Sequence, residues 1–207
     1  RSSETADLFM VLIMYRLKKN GRAAVIVPDG FLFGADNTKI AIKTKLLRDF
    51  NLHTIIRLPG SIFAPYTSIA TNILFFDNTS AEGAPEGYST KETWFYRLDM
   101  PEGYKHFSKT KPMKVEHTLP IQEWWNDRKE IVNDEVGEKS RVFTAQQLID
   151  LDCNFDQCKF PKEEEEILPP AELLKQYFEK RAALDHEIDK TLSEIQKILG
   201  IDIKSCN

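Results

Sequence analysis

Three short apolar runs between residues 22 and 76 constrain the fold more than any other feature of the sequence. They span Ala23–Val27, Leu52–Leu58 and Ile69–Phe76, and one helical pattern, Lys39–Phe50, lies between the first two. Each run is nearly continuous in apolar and β-branched residues, which is typical of strands covered on both faces by helices. The sequence therefore predicts an α/β fold built on a strand–helix–strand unit.

The loops that follow the first two strands are predicted to lie at one edge of the sheet. A strand–helix–strand crossover makes its two strands parallel, so Pro28–Asn37 and Pro59–Ser68 leave from carboxyl ends. Open α/β sheets bind ligands at that edge. The third run follows too short a loop for a parallel crossover, which needs about a dozen residues, and is predicted to pair antiparallel.

Both predicted edge loops carry aromatic side chains. Pro28–Phe33 places an acid, Asp29, and two aromatic residues after the first strand, and the second loop contributes Phe63 and Tyr66. A single aromatic loop more often reflects local packing than ligand binding. Two such loops at one edge favour a planar ligand about as strongly as they favour packing.

Length, charge and cysteine usage set the broad class. The 207 residues are enough for one sizeable hydrophobic core. The formal net charge of −4 argues against a general nucleic-acid coat. The sequence has no run of about 18 apolar residues and no signal peptide, which predicts a soluble protein with no membrane partner. Cys153, Cys158 and Cys206 lack the spacing of a metal site, so reduced thiols and a cytoplasmic location are expected.

Weaker patterns occur in the rest of the chain. Helices are predicted over Thr5–Leu17, Thr118–Lys129 and Thr144–Leu151, a strand over Trp94–Leu98 and a polar turn over Val132–Ser140. The segment Tyr104–Lys114 contains four lysines and no acid. It is either a solvated loop or a phosphate-contacting loop, with Lys105, Lys109 and Lys111 as the contacts.

A long helix is predicted after Pro169-Pro170. Its apolar residues follow steps of three and four, broken only by Arg181, as in a coiled-coil seam: Leu174, Tyr177, Leu184, Ile188, Leu192, Ile195 and Leu199. Such a seam is buried either against the chain's own domain or against another subunit. The pattern does not distinguish the two.

Several blocks of residues resemble one known family. The blocks are Gly21–Phe33, Asn51–His53 leading to Arg57-Leu58-Pro59, Phe63–Thr67 and Thr71–Phe76, with weaker continuations through Trp94–Leu98, Lys111–His117, Phe143–Phe155 and the closing helix. Together they closely resemble the modification subunit of type I restriction-modification systems. These subunits are adenine-N6 DNA methyltransferases that use S-adenosylmethionine.

The resemblance implies a fold for the whole chain. It implies the carboxyl-terminal half of a Rossmann-like, class I methyltransferase sheet, in which the antiparallel strand Ile69–Phe76 is inserted between the two parallel strands. A mostly helical tail ending in the long helix would follow. The expected division is residues 1–100 for the methyltransferase part, 101–161 for a loop and helical extension, and 162–207 for the long helix.

The family's cofactor-binding glycine loop and its Asn-Pro-Pro-aromatic catalytic motif are not in this sequence, and both would precede it. We therefore expect no catalytic residues here, no S-adenosylmethionine bound to this chain alone, and no methyl transfer by it. The resemblance assigns Phe63 to the aromatic that holds the extruded target adenine, with Tyr66 as second choice and Pro28 and Asp29 at the facing strand end.

Three functions remain open at this point. The first is a DNA adenine methyltransferase subunit that works with a specificity subunit and a restriction subunit, docked through Leu184, Ile188, Leu192 and Ile195. The second is part of a single-chain restriction enzyme-methyltransferase. The third is a non-catalytic interaction module whose role resides in the last helix.

Overall fold

The computed structural model describes residues 4–133, 137–158 and 170–199. The chain divides into two compact units, Arg1–Lys162 and Glu163–Asn207. The helices are α1 (Thr5–Arg16), α2 (Asp29–Phe33), α3 (Asn37–Asp49), α4 (Leu119–Asn126), α5 (Ala145–Asp150) and α6 (Pro170–Leu199). The strands are β1 (Arg22–Pro28), β2 (Asn51–Arg57), β3 (Thr71–Asp77), β4 (Glu92–Arg97), β5 (Ile131–Asn133) and β6 (Gly137–Thr144).

The strands of the first unit form one mixed sheet with the order β1-β3-β2-β4-β6-β5 across the described residues. β3 lies between β1 and β2 and is antiparallel to both, with Leu74 opposite Val25 on one side and Ile55 on the other. β4 runs parallel to β2. The predicted insertion of an antiparallel strand between two parallel ones is confirmed, and β1, β2 and β4 all point the same way.

Helices α1, α2, α3 and α5 cover one face of this sheet. Met10 and Met14 of α1 and Leu46 of α3 are buried against Leu52 and Leu74 of the strands. Local sequence explains why α3 is helical, because apolar residues recur at helical spacing on the side that faces the sheet. Its first turn is capped by Asp36, whose carboxylate accepts hydrogen bonds from the amides of the second and third residues.

Helix α4 covers the central strands on the other face. The Trp124 ring lies 4.6 Å from that of Tyr96, and the Trp125 ring lies 5.1 Å from that of Phe75. The prediction of strands covered on both faces therefore fits β2 and β3, since Leu74 and Phe76 of β3 are buried on one face and Ile73 and Phe75 pack on the other. It does not fit β1, because no described element covers the face that carries Ile26, which is 54% exposed.

The predicted polar turn over Val132–Ser140 is wrong. Residues 131–133 and 137–144 form strands β5 and β6, which pair with each other and extend the sheet beyond β4. Near this end of the sheet the strands are only partly covered, so polar residues such as Glu138 and Arg141 of β6 remain partly exposed and the apolar signal of a strand is lost. The segment 101–161 thus contributes strands as well as helices.

Three smaller points concern individual predictions. The capping box that opens α5 is confirmed: Thr144 and Gln147 exchange side-chain-to-backbone hydrogen bonds. Cys153 and Cys158 are buried free thiols, whereas Cys206 lies outside the described residues. Within the described part of the chain, no helix has the length and apolar character needed to cross a membrane.

Candidate functional site

Three connections meet at the carboxyl edge of the parallel strands. They are residues 29–36 after β1, 58–70 after β2 and 98–114 after β4. The first two were predicted to share this edge. The third was not, because the parallel pairing of β2 with β4 is a long-range contact that no local pattern reveals.

Backbone hydrogen bonds join the first two connections. The amide of Asp29, at the start of α2, donates to the carbonyl of Ala70 at 3.0 Å, and the amide of Leu58 donates to the carbonyl of Thr71 at 3.0 Å. The turn after β1 and the 58–70 loop are thus adjacent. Pro28 is half-buried and forms the N-cap of α2, the short helix that occupies half of the predicted first loop.

The 58–70 loop is a series of tight turns that presents two aromatic rings. The amides of Ala64 and Tyr66 donate to the carbonyls of Ser61 and Phe63, both at 2.9 Å. Phe63 is 37% exposed and Tyr66 is 92% exposed, so both rings are accessible at the rim. Of the two aromatic residues after β1, only Phe33 is exposed, because Phe31 is buried in the core.

The lysine-rich segment packs directly on this loop. The Phe107 amide donates to Ser61 Oγ at 2.8 Å. The Phe107 ring is buried beside Tyr104 and His117, at centroid distances of 5.6 and 5.7 Å. Lys105, Lys109 and Lys111 are all exposed. The structure therefore places the predicted phosphate contacts and the predicted base-stacking residues on neighbouring loops.

Asp29 does not project freely from the edge. Its Oδ1 accepts from Asn72 Nδ2 at 2.6 Å and its Oδ2 accepts from Arg57 Nη2 at 2.9 Å. Arg57 also donates to Asp156 Oδ1 at 2.7 Å and to the carbonyl of Cys158 at 3.1 Å. Any base contact by Asp29 would have to share oxygens that are already hydrogen-bonded.

Sequence reasoning missed the partners of Asp29, although a signal was present. Arg57 and Asn72 interrupt apolar runs that become buried strands. A charged or amide side chain in such a run has to find polar partners when it is buried. The identity of those partners depends on residues far away in sequence, such as Asp156, and no local pattern shows it.

A second missed residue, Lys43, holds the end of α2. Its ammonium group donates to the carbonyls of Leu32 and Gly34 at 3.0 and 2.9 Å. Burial lowers the pKa of Lys43 to about 8. A cationic donor at the C-terminal carbonyls of a helix satisfies groups that otherwise lack partners, so Lys43 fixes the turn that follows β1.

Helix α6 carries an exposed apolar stripe. Leu184, Ile188, Leu192 and Ile195 are spaced by three and four residues and are 45–59% exposed. Leu184, Ile188 and Leu192 line a shallow groove with Glu187 and Thr191. Of the predicted seam, Leu199 ends the helix and its side chain lies outside the described residues. Within the described chain, no group of three or more His, Cys, Asp or Glu residues has the geometry of a metal site.

Comparison with known proteins places this arrangement in a family. The family model for N-6 DNA methylase matches residues 1–167. The methylase subunit of the type I restriction enzyme EcoEI from Escherichia coli is 42% identical over 202 residues, which is 97% of this chain and 38% of that subunit.

Solved structures agree with the sequence matches. A modification subunit of a putative type I restriction enzyme from Vibrio vulnificus YJ016 has a TM-score of 0.59 and 42% identity, covering 71% of this chain and 29% of that chain. A chain from a study of complex assembly and conformational transition of the type I R-M system has a TM-score of 0.62 and 31% identity, covering 97% of this chain and 40% of that one.

The chain spans about two fifths or less of the length of these relatives. The mixed sheet with its inserted antiparallel strand matches the fold of these subunits, as the resemblance implied. The chain belongs to the N-6 DNA methylase family, and its relatives are the methylase subunits of type I restriction enzymes.

Proposed function

We propose that this chain is the carboxyl-terminal part of a DNA adenine-N6 methyltransferase subunit of a cytoplasmic type I restriction-modification system. In this proposal the carboxyl edge holds the extruded target adenine, with Phe63 as the stacking ring and Tyr66 beside it. The specificity subunit reads the DNA sequence, and α6 docks the subunit in a complex that also contains the restriction subunit.

One observation carries the proposal. The loop with Phe63 and the loop with Lys105, Lys109 and Lys111 are joined at one edge by the Phe107–Ser61 hydrogen bond. An enzyme that modifies a base must stack the extruded base on an aromatic or apolar face. It must also hold the flanking phosphates, and exposed lysines on a loop that packs against the Phe63 loop suit that task.

The described residues do not fit a complete S-adenosylmethionine site. Such a site would need a free carboxylate at a strand end for the cofactor's ribose hydroxyls, but both oxygens of Asp29 are engaged by Asn72 and Arg57. Close approach of the backbone to a ligand would need a glycine-rich turn, and Gly30 and Gly60 stand singly. The cofactor in this proposal is held by the preceding part of the longer subunit.

This assignment predicts that the 207-residue chain binds no S-adenosylmethionine and transfers no methyl group. Isothermal titration calorimetry with S-adenosylmethionine should show no binding in the micromolar range. The longer subunit, assembled with its specificity subunit, should produce N6-methyladenine that mass spectrometry detects in the DNA. Micromolar binding by the short chain would contradict the assignment of the cofactor site to the preceding residues.

A second prediction concerns the lysine loop. Neutralising Lys109 and Lys111 together, as K109Q/K111Q, should lower the slope of log binding constant against log salt by about two at most, because each lost phosphate contact removes about one unit. The measurement is DNA binding by fluorescence anisotropy over a salt series with the complete complex. Lys45 lies outside this edge on α3, so K45Q serves as the control. A slope equal to that of the control would assign the segment to the solvated loops.

The competing functions differ in how they use the same features. The exposed stripe of α6 favours the interaction module, because it is the one apolar surface with regular spacing in the second unit's described residues. A single-chain restriction enzyme-methyltransferase would use the carboxyl edge in the same way, but with a recognition domain on the same polypeptide. Purification of the methylating activity distinguishes this last case, because the single-chain enzyme needs no separate specificity subunit.

A further inference from the structure

Arg57 joins the strand ends that meet at the carboxyl edge. It is the last residue of β2, and its guanidinium lies between the carboxylate of Asp29 at the start of α2 and that of Asp156 after α5. Asn72 of β3 binds the other oxygen of Asp29. The turn after β1 and the 154–158 segment therefore converge on the Arg57 side chain, which is 16% exposed, and β3 is joined to them through Asp29.

The chemistry of this junction suits arginine. Burial by itself lowers the pKa of Arg57, but the carboxylates of Asp156 and Asp29 outweigh that effect and hold the pKa above its usual value. The group is therefore a permanent cation. A planar guanidinium reaches two carboxylates at once in fixed directions, whereas a lysine ammonium is a point charge on a flexible stem.

The Arg57 junction lies at the base of two connections, residues 29–36 after β1 and residues 58–70 after β2. The 58–70 loop begins at the residue after Arg57, and its last residue before β3, Ala70, accepts the amide of Asp29. The 154–158 segment is attached to α2 as well, because the Phe155 amide donates to the carbonyl of Leu32 at 3.0 Å. A shift of Arg57 would therefore move the start of α2 and the root of the Phe63 loop relative to each other.

We propose that Arg57 is a positioning residue for the target base, which acts by holding the Phe63 loop in register with the strand end at Asp29. It contacts no base itself. This inference rests on the proposed function, since it specifies what orients the stacking ring. A purely structural ion pair would affect the folded state's stability and leave the placement of the base in the folded enzyme unchanged.

The test compares two single variants, R57K and R141K, each made in the full-length subunit and assembled with its specificity subunit. R57K keeps the charge but loses the two-carboxylate geometry. R141K is the matched control, because Arg141 also lies near two carboxylates, those of Glu138 and Glu130, but on β6 away from the edge. Methyl transfer is measured as kcat and KM for DNA. Base extrusion is measured by the fluorescence of 2-aminopurine placed at the target adenine.

R57K should lower kcat by roughly ten-fold or more with a small change in KM, since a displacement of the order of 1 Å at the reacting geometry has effects of that size. The 2-aminopurine signal should fall, and R141K should leave both quantities close to wild type. If R57K does not fold, D156N gives the same test, because an asparagine keeps an acceptor for Arg57 and removes only the charge.

A double-mutant cycle sharpens the result. D29N and D156N alter groups that both act through Arg57, so their combined effect on kcat should be smaller than the product of the single effects. R57K equal to R141K in kcat and fluorescence, while F63A still lowers methylation, would overturn this inference and leave the proposed function standing. F63A without effect would instead contradict the proposed function.

Discussion

Replacing Phe63 with alanine in the full-length subunit should lower the rate of adenine methylation about 5- to 150-fold, because aromatic stacking on a base contributes about 1–3 kcal/mol. The side chain is 37% exposed, so the loss comes mainly from the ligand contact and little from the core. The rate is measured as transfer of labelled methyl groups into DNA by the complete complex.

Two further variants show whether the effect belongs to stacking. F63W retains an aromatic face and should recover most of the activity. F33A removes another exposed aromatic ring at the same edge of the sheet, after β1, and should change the rate little. If F63A is folded and methylates at the wild-type rate, the rim does not hold the base. The interaction module would then be the better account of this chain.

The second large effect is expected in α6. Ile188→Asp or Leu192→Asp should abolish copurification with the specificity subunit, because each change places a charge in the centre of an apolar contact, where burying it without a partner is strongly unfavourable. Both side chains are exposed on the helix, so the fold of the first unit should be unaffected. Affinity purification of the coexpressed subunits measures the loss.

Ala182→Asp is the matched control for these variants. Ala182 is also exposed and apolar, but at about 100° per residue it lies about 125° around the helix axis from the centre of the stripe. It should copurify like the wild type, and all three variants should show unchanged helix content by circular dichroism. Retained association of the stripe variants would mean that the seam is buried elsewhere than against the specificity subunit.

The elements that sequence reasoning recovered are those whose signal is local. Helix α3 was predicted over Lys39–Phe50 and runs over Asn37–Asp49, and the strand predicted over Leu52–Leu58 runs over Asn51–Arg57. Apolar spacing along a few turns or pleats sets these bounds, so no distant residue is needed. The antiparallel direction of β3 followed from loop length alone.

The elements that could not be predicted from the sequence depend on contacts between distant residues. β5 and β6 are polar strands stabilised by pairing with each other and with β4, so their own residues carry no apolar signal. The attachment of Phe107 to Ser61 joins loops that are 46 residues apart. The Arg57–Asp156 pair spans 99 residues. None of these contacts has a periodicity that a reader of the sequence can detect.

The sequence by itself determined the α/β class, the inserted antiparallel strand, the stripe of the last helix and the likeness to a methylase subunit, because each rests on spacing between near neighbours or on matching blocks of residues. Only the tertiary structure decided that the lysine segment packs on the loop that carries Phe63 and that Asp29 is bound by Arg57 and Asn72. The reason is physical: which polar groups meet at a sheet edge depends on strand order, and strand order is settled by pairing between distant parts of the chain.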